Sequence, residues 1–356
     1  MDQQNRDIYG LQLLRAIAAF GVIFRHTLDM SDGSGVGRFS PAWTRSFGGA
    51  GVDLFFVISG FIMVYVSFPP SRSSESPSRF FVKRLTRIFP LYWICSAAIV
   101  AMCTIGFLKN KHVDSYTLIN SIFILPGDKL VYVAWTLSYE LYFYIIFAVC
   151  LNFRKKLRTS ISTVCIMLGG ILVGHLIRDS TFSVFICSPL VLEFCFGIAL
   201  ALLFSSAKNW NVPIALSVLA LLVIVVGPIF ADQTGSMSEA FRLVVWGFPA
   251  AVIVAAFLKL KLPHSKAGRA AVLLGDASYA LYLTHVFVMI AYGWLIKSTF
   301  VGGMSQVGFV PAVVFLCLIV GVVAHIFVER PTLHFVRKLT SRQPGRGLLE
   351  AKNVSL

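Results

Sequence analysis

Residues 11–30, LQLLRAIAAFGVIFRHTLDM, decide the fold. A helix needs about 20 mostly apolar residues to cross a bilayer, and this run supplies them. It contains Arg15, Arg25 and His26 and lacks a small-residue cleavage site, so it does not read as a signal peptide. Runs of the same kind recur along the chain. They give ten candidate spans, at 11–30, 50–68, 88–107, 133–151, 160–177, 183–204, 211–231, 241–258, 271–296 and 307–328. A shorter apolar stretch at 117–126 reads as interfacial or re-entrant.

Composition agrees with that reading. Of the 356 residues 57% are hydrophobic and only 13% charged, against about 25% charged in a typical soluble domain. With a mean hydropathy of +0.80, there are too few charges to coat a water-soluble particle. Intrinsic disorder is excluded by the same numbers. The expected class is an all-α, polytopic membrane protein of about ten helices, with a membrane domain over 1–340 and a polar cytoplasmic tail over 341–356.

The net charge of +15 comes without any soluble basic module, so it does not signal nucleic-acid binding. With both termini in the cytoplasm, 21 of the 31 Lys and Arg fall on cytoplasmic segments and eight outside, with Arg15 and Arg25 inside span one. This split is what the positive-inside rule predicts for an inner-membrane protein with its termini in the cytoplasm. The seven cysteines form no CxxC and read as inert, buried thiols.

Ionisable groups inside a bilayer are costly, so they point to function. The clearest are Arg15, His26, Asp53, Glu140, Glu193 and His285. Arg15 and His26 are eleven residues apart, which on a helix is one face and roughly 16 Å of rise. One long ligand can touch both. Arg25 faces elsewhere and suits a headgroup contact. A neutral imidazole can take a proton from a hydroxyl that attacks a carbonyl. Asp53 opens span two, where it suits either a cation such as imidazolium or its own helix dipole. Span four carries WTLSYELYFY. Glu140 there suits sugar hydroxyls or the orientation of His26. Trp135 and Ser138 suit a saccharide, although Trp135 equally suits the interfacial aromatic belt. Arg84 and Arg87, three apart at the inner start of span three, suit a polyphosphate, or else anionic lipid. The groups thus sort by depth, with His26, Asp53 and Glu140 toward the outside and Arg15, Arg84 and Arg87 toward the inside. That arrangement suggests an anionic cytosolic donor reaching an outer acceptor.

Seven segments in order then carry a resemblance. LLRAIAAFGVIFRH, GVDLFFVISGFIM, RLTRIFPLYW, WTLSYELYFY, LVLEFCFGIAL, LGDASYALYLTH and VERP together resemble the acyltransferase-3 family of membrane O-acyltransferases, over about residues 8–335. The chain looks most like members that acetylate exopolysaccharide, O-antigen (lipopolysaccharide) or Nod-factor sugars. No appended esterase-like domain is expected. The resemblance implies His26 as catalytic base with Arg15 as its motif partner, and Arg84 and Arg87, with Arg15, on the acetyl-CoA side. It implies supporting roles for Glu140 and Asp53, and assigns none to Glu193 and His285. It also implies acetyl-CoA as acyl donor with no metal, and a cell-surface or lipid-linked saccharide as acceptor. In the implied reaction His26 deprotonates a sugar hydroxyl that attacks the thioester, with a transient acetyl-histidine as the competing route. A flippase or transporter of lipid-linked saccharides, or a non-enzymatic scaffold, remains the alternative class.

Overall fold

A computed structural model describes residues 9–33, 42–69, 73–108, 111, 113–177, 180–234, 238–263, 265–297 and 306–341. The tail expected over 341–356 lies outside the described residues apart from Ser341, as do Arg6, Arg38, Arg72, Lys109 and Arg178 of the charge count. Among the described residues there is no strand.

The helices run in order as α1 (Tyr9–Gly33), α2 (Ala42–Ser67), α3 (Pro77–Thr104), α4 (Ser115–Phe123), α5 (Trp135–Cys150), α6 (Lys156–Ile177), α7 (Thr181–Ile186) and α8 (Val191–Ser206). There follow α9 (Ile214–Thr234), α10 (Glu239–Arg242), α11 (Phe248–Phe257), α12 (Lys266–Asp276), α13 (Ser278–Lys297), α14 (Gln306–Ala324) and α15 (Arg330–Ser341). Wide turns at Leu243–Gly247 and His325–Glu329 join α10 to α11 and α14 to α15.

Nine helical segments among the described residues are long and apolar enough to span a membrane. The expected seventh span falls on α9, whose apolar part is Ile214–Ile229. At 1.5 Å per residue that part is about 24 Å long, short of the ~30 Å hydrocarbon core. The expected ninth span divides at Ala277 into α12 and α13. The apolar stretch at 117–126 becomes the nine-residue α4, capped by Asp114, whose side chain accepts from the Thr117 amide at 2.9 Å.

Lipid is as apolar as leucine, so close backbone approach and buried hydrogen bonds must hold the helices together. At the α2–α8 crossing a Cβ on Gly60 would stand 2.1 Å from the Phe194 carbonyl oxygen, and one on Gly197 2.1 Å from that of Val57. Only glycine allows that contact. The core runs through Phe56, Phe61, Phe143, Phe147 and Phe194, while α1, α13 and α14 share a second cluster around Ile23, Leu281 and Cys317. Large apolar side chains such as Leu172, Leu176, Phe315 and Phe327 face outward, as expected where lipid is the solvent. Of the cysteines expected to be buried, Cys165 is exposed on this apolar exterior and Cys103 and Cys187 are half-buried.

Candidate active site

The sequence places Arg15 on α1 and Arg84 and Arg87 one turn apart on α3, and the bundle brings all three to one cavity of about 130 Å³. Ser59 from α2, Thr136, Glu140 and Tyr144 from α5, and Ser278, Tyr279 and Tyr282 from α13 complete its polar wall. Among the described residues none of these arginines is in an ion pair with a carboxylate. The Arg15 Nη1 donates to Gln12 Oε1 at 3.4 Å. The Arg84 guanidinium lies over the Phe80 and Tyr144 rings, 5.4 and 6.0 Å from their centroids. Tyr279 ties α13 to α3 by donating to the Ile88 carbonyl at 2.6 Å.

Glu140 sits in this cavity with the arginines rather than beside His26. It accepts from Ser59 Oγ at 3.2 Å and from the Tyr144 hydroxyl. The cavity therefore carries three guanidinium groups against one carboxylate. Such a surplus, in a partly desolvated place, has the chemistry that recognises phosphate.

His26 does not line the cavity. Its ring lies 5.3 Å from that of His285, at 27°, and meets the edge of Tyr132 at 5.4 Å and 82°. His285 is fully buried. Tyr282, which does line the cavity, is the link between the two places. Its ring is 6.1 Å from that of His285, and its hydroxyl donates to the Val133 carbonyl at 2.6 Å and lies 2.9 Å from Thr136 Oγ1. Those bonds hold the turn Tyr132–Ala134 that presents Tyr132 to His26. Sequence reading singled out His285 without a role and missed Tyr132 and Tyr282. Aromatic residues in apolar spans give no signal of their own.

Asp53 is engaged away from His26. Its carboxylate accepts from Arg242 Nε at 3.0 Å and Arg242 Nη2 at 2.8 Å, a bidentate pair between α2 and α10. Glu193, also fully buried, lies next to both. Arg242 is sandwiched by Trp246 and Trp135, at 5.3 and 6.0 Å. Sequence reading counted Arg242 as an outer charge only. The signal available was the buried Asp53, which needs a cation. Trp135 is partly exposed at this spot. Ser138 is buried and donates to the Leu125 carbonyl at 3.2 Å, which anchors the loop before α5.

Two lysines hold that loop from within. Lys111 donates to the Leu130 carbonyl, and Lys129 to the carbonyls of Leu125 and Gly127. Burial pushes the Lys129 ammonium down to about 8, with Asp128 opposing the shift. Leu130 in turn donates its amide to Ser121 Oγ at 2.8 Å.

Comparison with known proteins supplies the family. Residues 8–328 match the acyltransferase domain family Acyl_transf_3. The exopolysaccharide production protein ExoZ of Rhizobium meliloti (strain 1021) is 28% identical over 319 residues, covering 85% of this chain and 95% of that one. Nodulation protein 10 of Rhizobium leguminosarum bv. viciae is 26% identical over 328 residues, covering 80% and 84%. The acyltransferase MdmB of Streptomyces mycarofaciens is 24% identical over 339 residues, covering 84% of each. No solved structure matches the chain. With the family match running from the first helix to the end of the last apolar one, the chain is a multi-pass membrane protein that belongs to the acyltransferase-3 family.

Proposed function

We propose that this acyltransferase moves an acetyl group from acetyl-CoA to a hydroxyl of a cell-surface or lipid-linked saccharide, with His26 as the general base. The observation that carries the reading is the convergence of Arg15, Arg84 and Arg87 on one cavity against a single carboxylate. Coenzyme A is a long ligand with phosphates at one end and a thioester at the other. Arg15 and His26 share a face of α1 with roughly 16 Å of rise between them. Phosphates held at the arginines would let the pantetheine arm extend toward His26. There the imidazole takes the proton of the acceptor hydroxyl as its oxygen attacks the thioester carbonyl. The C–S bond breaks, the acetyl group stays on the acceptor oxygen, and the proton passes from His26 to the thiolate of coenzyme A.

On this reading the bundle over 1–340 sits in the inner membrane with both termini and the tail 341–356 in the cytoplasm, as the 21 to eight split of basic residues favours. The donor enters at the arginines and the acceptor arrives at His26. Trp135, beside Arg242, offers an aromatic face for a sugar ring. The saccharide class follows the names of the two rhizobial relatives, which concern exopolysaccharide production and nodulation.

The test uses protein in lipid nanodiscs with acetyl-labelled acetyl-CoA and a panel of lipid-linked and surface glycans. Transfer of label to a glycan with release of coenzyme A is expected, and its loss in His26→Ala. Full transfer by His26→Ala, or movement of the glycan without acylation, would overturn the reading.

A further inference from the structure

We infer that His285 is the positioning partner of His26, accepting the His26 ring N–H on its Nε2 and so fixing which His26 nitrogen is left bare to take a proton. The inference rests on the reading of His26 as the base.

The argument starts from the tautomer of His285. Its Nδ1 lies 3.3 Å from the Leu281 carbonyl oxygen. A carbonyl only accepts, so the proton of this bond sits on Nδ1 and Nε2 carries a lone pair. That nitrogen is buried and has no hydrogen-bond partner. A buried, idle acceptor calls for a donor. The neighbouring imidazole is that of His26, its centroid 5.3 Å from that of His285 and its plane 27° from parallel, so the bond inferred here needs the His26 ring to turn.

His26 has the complementary need. In a base of this kind one ring nitrogen must be bare toward the substrate, and the hydrogen bond made by the other decides which one. In nucleophile–base–orienter arrangements that bond commonly goes to a carboxylate. Here the nearby carboxylates are engaged. Asp53 is held by Arg242, Glu140 by Ser59 and Tyr144, and Asp29 pairs with Arg25 at 3.5 Å. Of the other titratable groups facing the pair, Arg25 can only donate, while the hydroxyls of Tyr132 and Tyr282 can donate or accept. The Tyr282 hydroxyl is already committed to Val133. With Nδ1 protonated, His285 Nε2 can only accept, and among the described residues it has no donor.

Two readouts test the assignment in nanodiscs. Nitrogen-15 spectra of histidine-labelled protein, assigned by His26→Ala, report the tautomer of His26 without any substrate. A single tautomer is expected in the wild type, and in His285→Gln, whose carboxamide oxygen replaces Nε2 as acceptor. A mixture is expected in His285→Phe, which keeps the ring volume and removes the acceptor. In transfer assays His285→Phe should lower kcat by about 100-fold or more, the usual contribution of positioned acid–base chemistry, with KM for acetyl-CoA unchanged. His285→Gln should recover most of that loss. An unchanged His26 tautomer in His285→Phe, or equal loss in the Phe and Gln variants, overturns the inference. If His285→Phe does not fold, mixed tautomers in His285→Gln overturn it and a single tautomer supports it. If wild-type protein transfers no acetyl group, the functional reading alone fails, because the tautomer is read without turnover.

Discussion

Replacing Arg84 by Gln should weaken acetyl-CoA binding and leave the binding of a phosphate-free donor intact. Arg84 reaches the cavity from α3 with its guanidinium over two aromatic rings. Among the described residues it has no carboxylate partner, so its removal strands no buried anion. Glu140 keeps its bonds from Ser59 and Tyr144. The cost to folding is then confined to the ring contacts, about 0.5–1 kcal/mol. A hydrogen bond to a charged group is worth about 1.5–3 kcal/mol, and each ~1.4 kcal/mol is tenfold in affinity. The dissociation constant for acetyl-CoA should therefore rise about 10- to 100-fold. S-acetylpantetheine, which has the thioester but no phosphate, should bind and react with Arg84→Gln as it does with the wild type. Equilibrium binding in nanodiscs and steady-state release of thiol measure the two donors side by side. Equal loss for both donors, or no loss for either from a folded variant, refutes the assignment of Arg84 to phosphate.

Three further outcomes follow from the geometry. Asp53→Asn removes the carboxylate that holds Arg242 bidentately and leaves Glu193 as the buried carboxylate beside the guanidinium; breaking a buried pair costs up to about 3–5 kcal/mol, and thermal unfolding in detergent should show a clear drop. Tyr282→Phe removes the hydroxyl bonded to Val133 and Thr136, leaves the Val133 carbonyl only the longer bond from Thr136, at a cost of about 0.5–1.5 kcal/mol, and loosens the turn under Tyr132. Its transfer rate should fall while acetyl-CoA affinity holds. Lys129, lowered by burial to about 8 from an ordinary 10.5, gives a pH signature. Between those values the unfolded chain holds a proton that the folded one has released, so this group adds stability as pH rises from 8 toward 10.5. Lys129→Met should flatten that rise in thermal melts taken across pH 7–10.

The spans were legible because their signal is local. Twenty apolar residues announce a membrane helix wherever they stand. Arg84 and Arg87 were legible as a pair for the same reason, since three residues on a helix is one face. What sequence left open is contact between distant segments. Asp53 and Arg242 are 189 positions apart, and no period or spacing connects them. Glu140 was legible as a costly residue, but its neighbours depend on how α1, α2 and α3 cross α5. The break at Ala277 was hidden because the apolar runs AVLL and YALYL on either side of Gly275, Asp276 and Ser278 add up to the length of one span. His26 and His285 each stood out, yet their pairing required α1 and α13 to lie side by side.

The bonds of Tyr282 bear on a different problem, that of leakage. A protein that hands a group from one face of a membrane to the other runs the risk of becoming a pore. Each elementary charge that slips through is driven by about 2.3 kcal/mol per 100 mV. Here Tyr282 and Thr136 line the arginine-bearing chamber, and their hydroxyls are bonded to each other, with Tyr282 also donating to Val133. On the proposed reading, a slender thioester arm would part such a latch for the length of one turnover, while hydrated ions would find it shut. If that reading holds, insulation of the energised membrane and passage of the acyl group are served by the same few atoms.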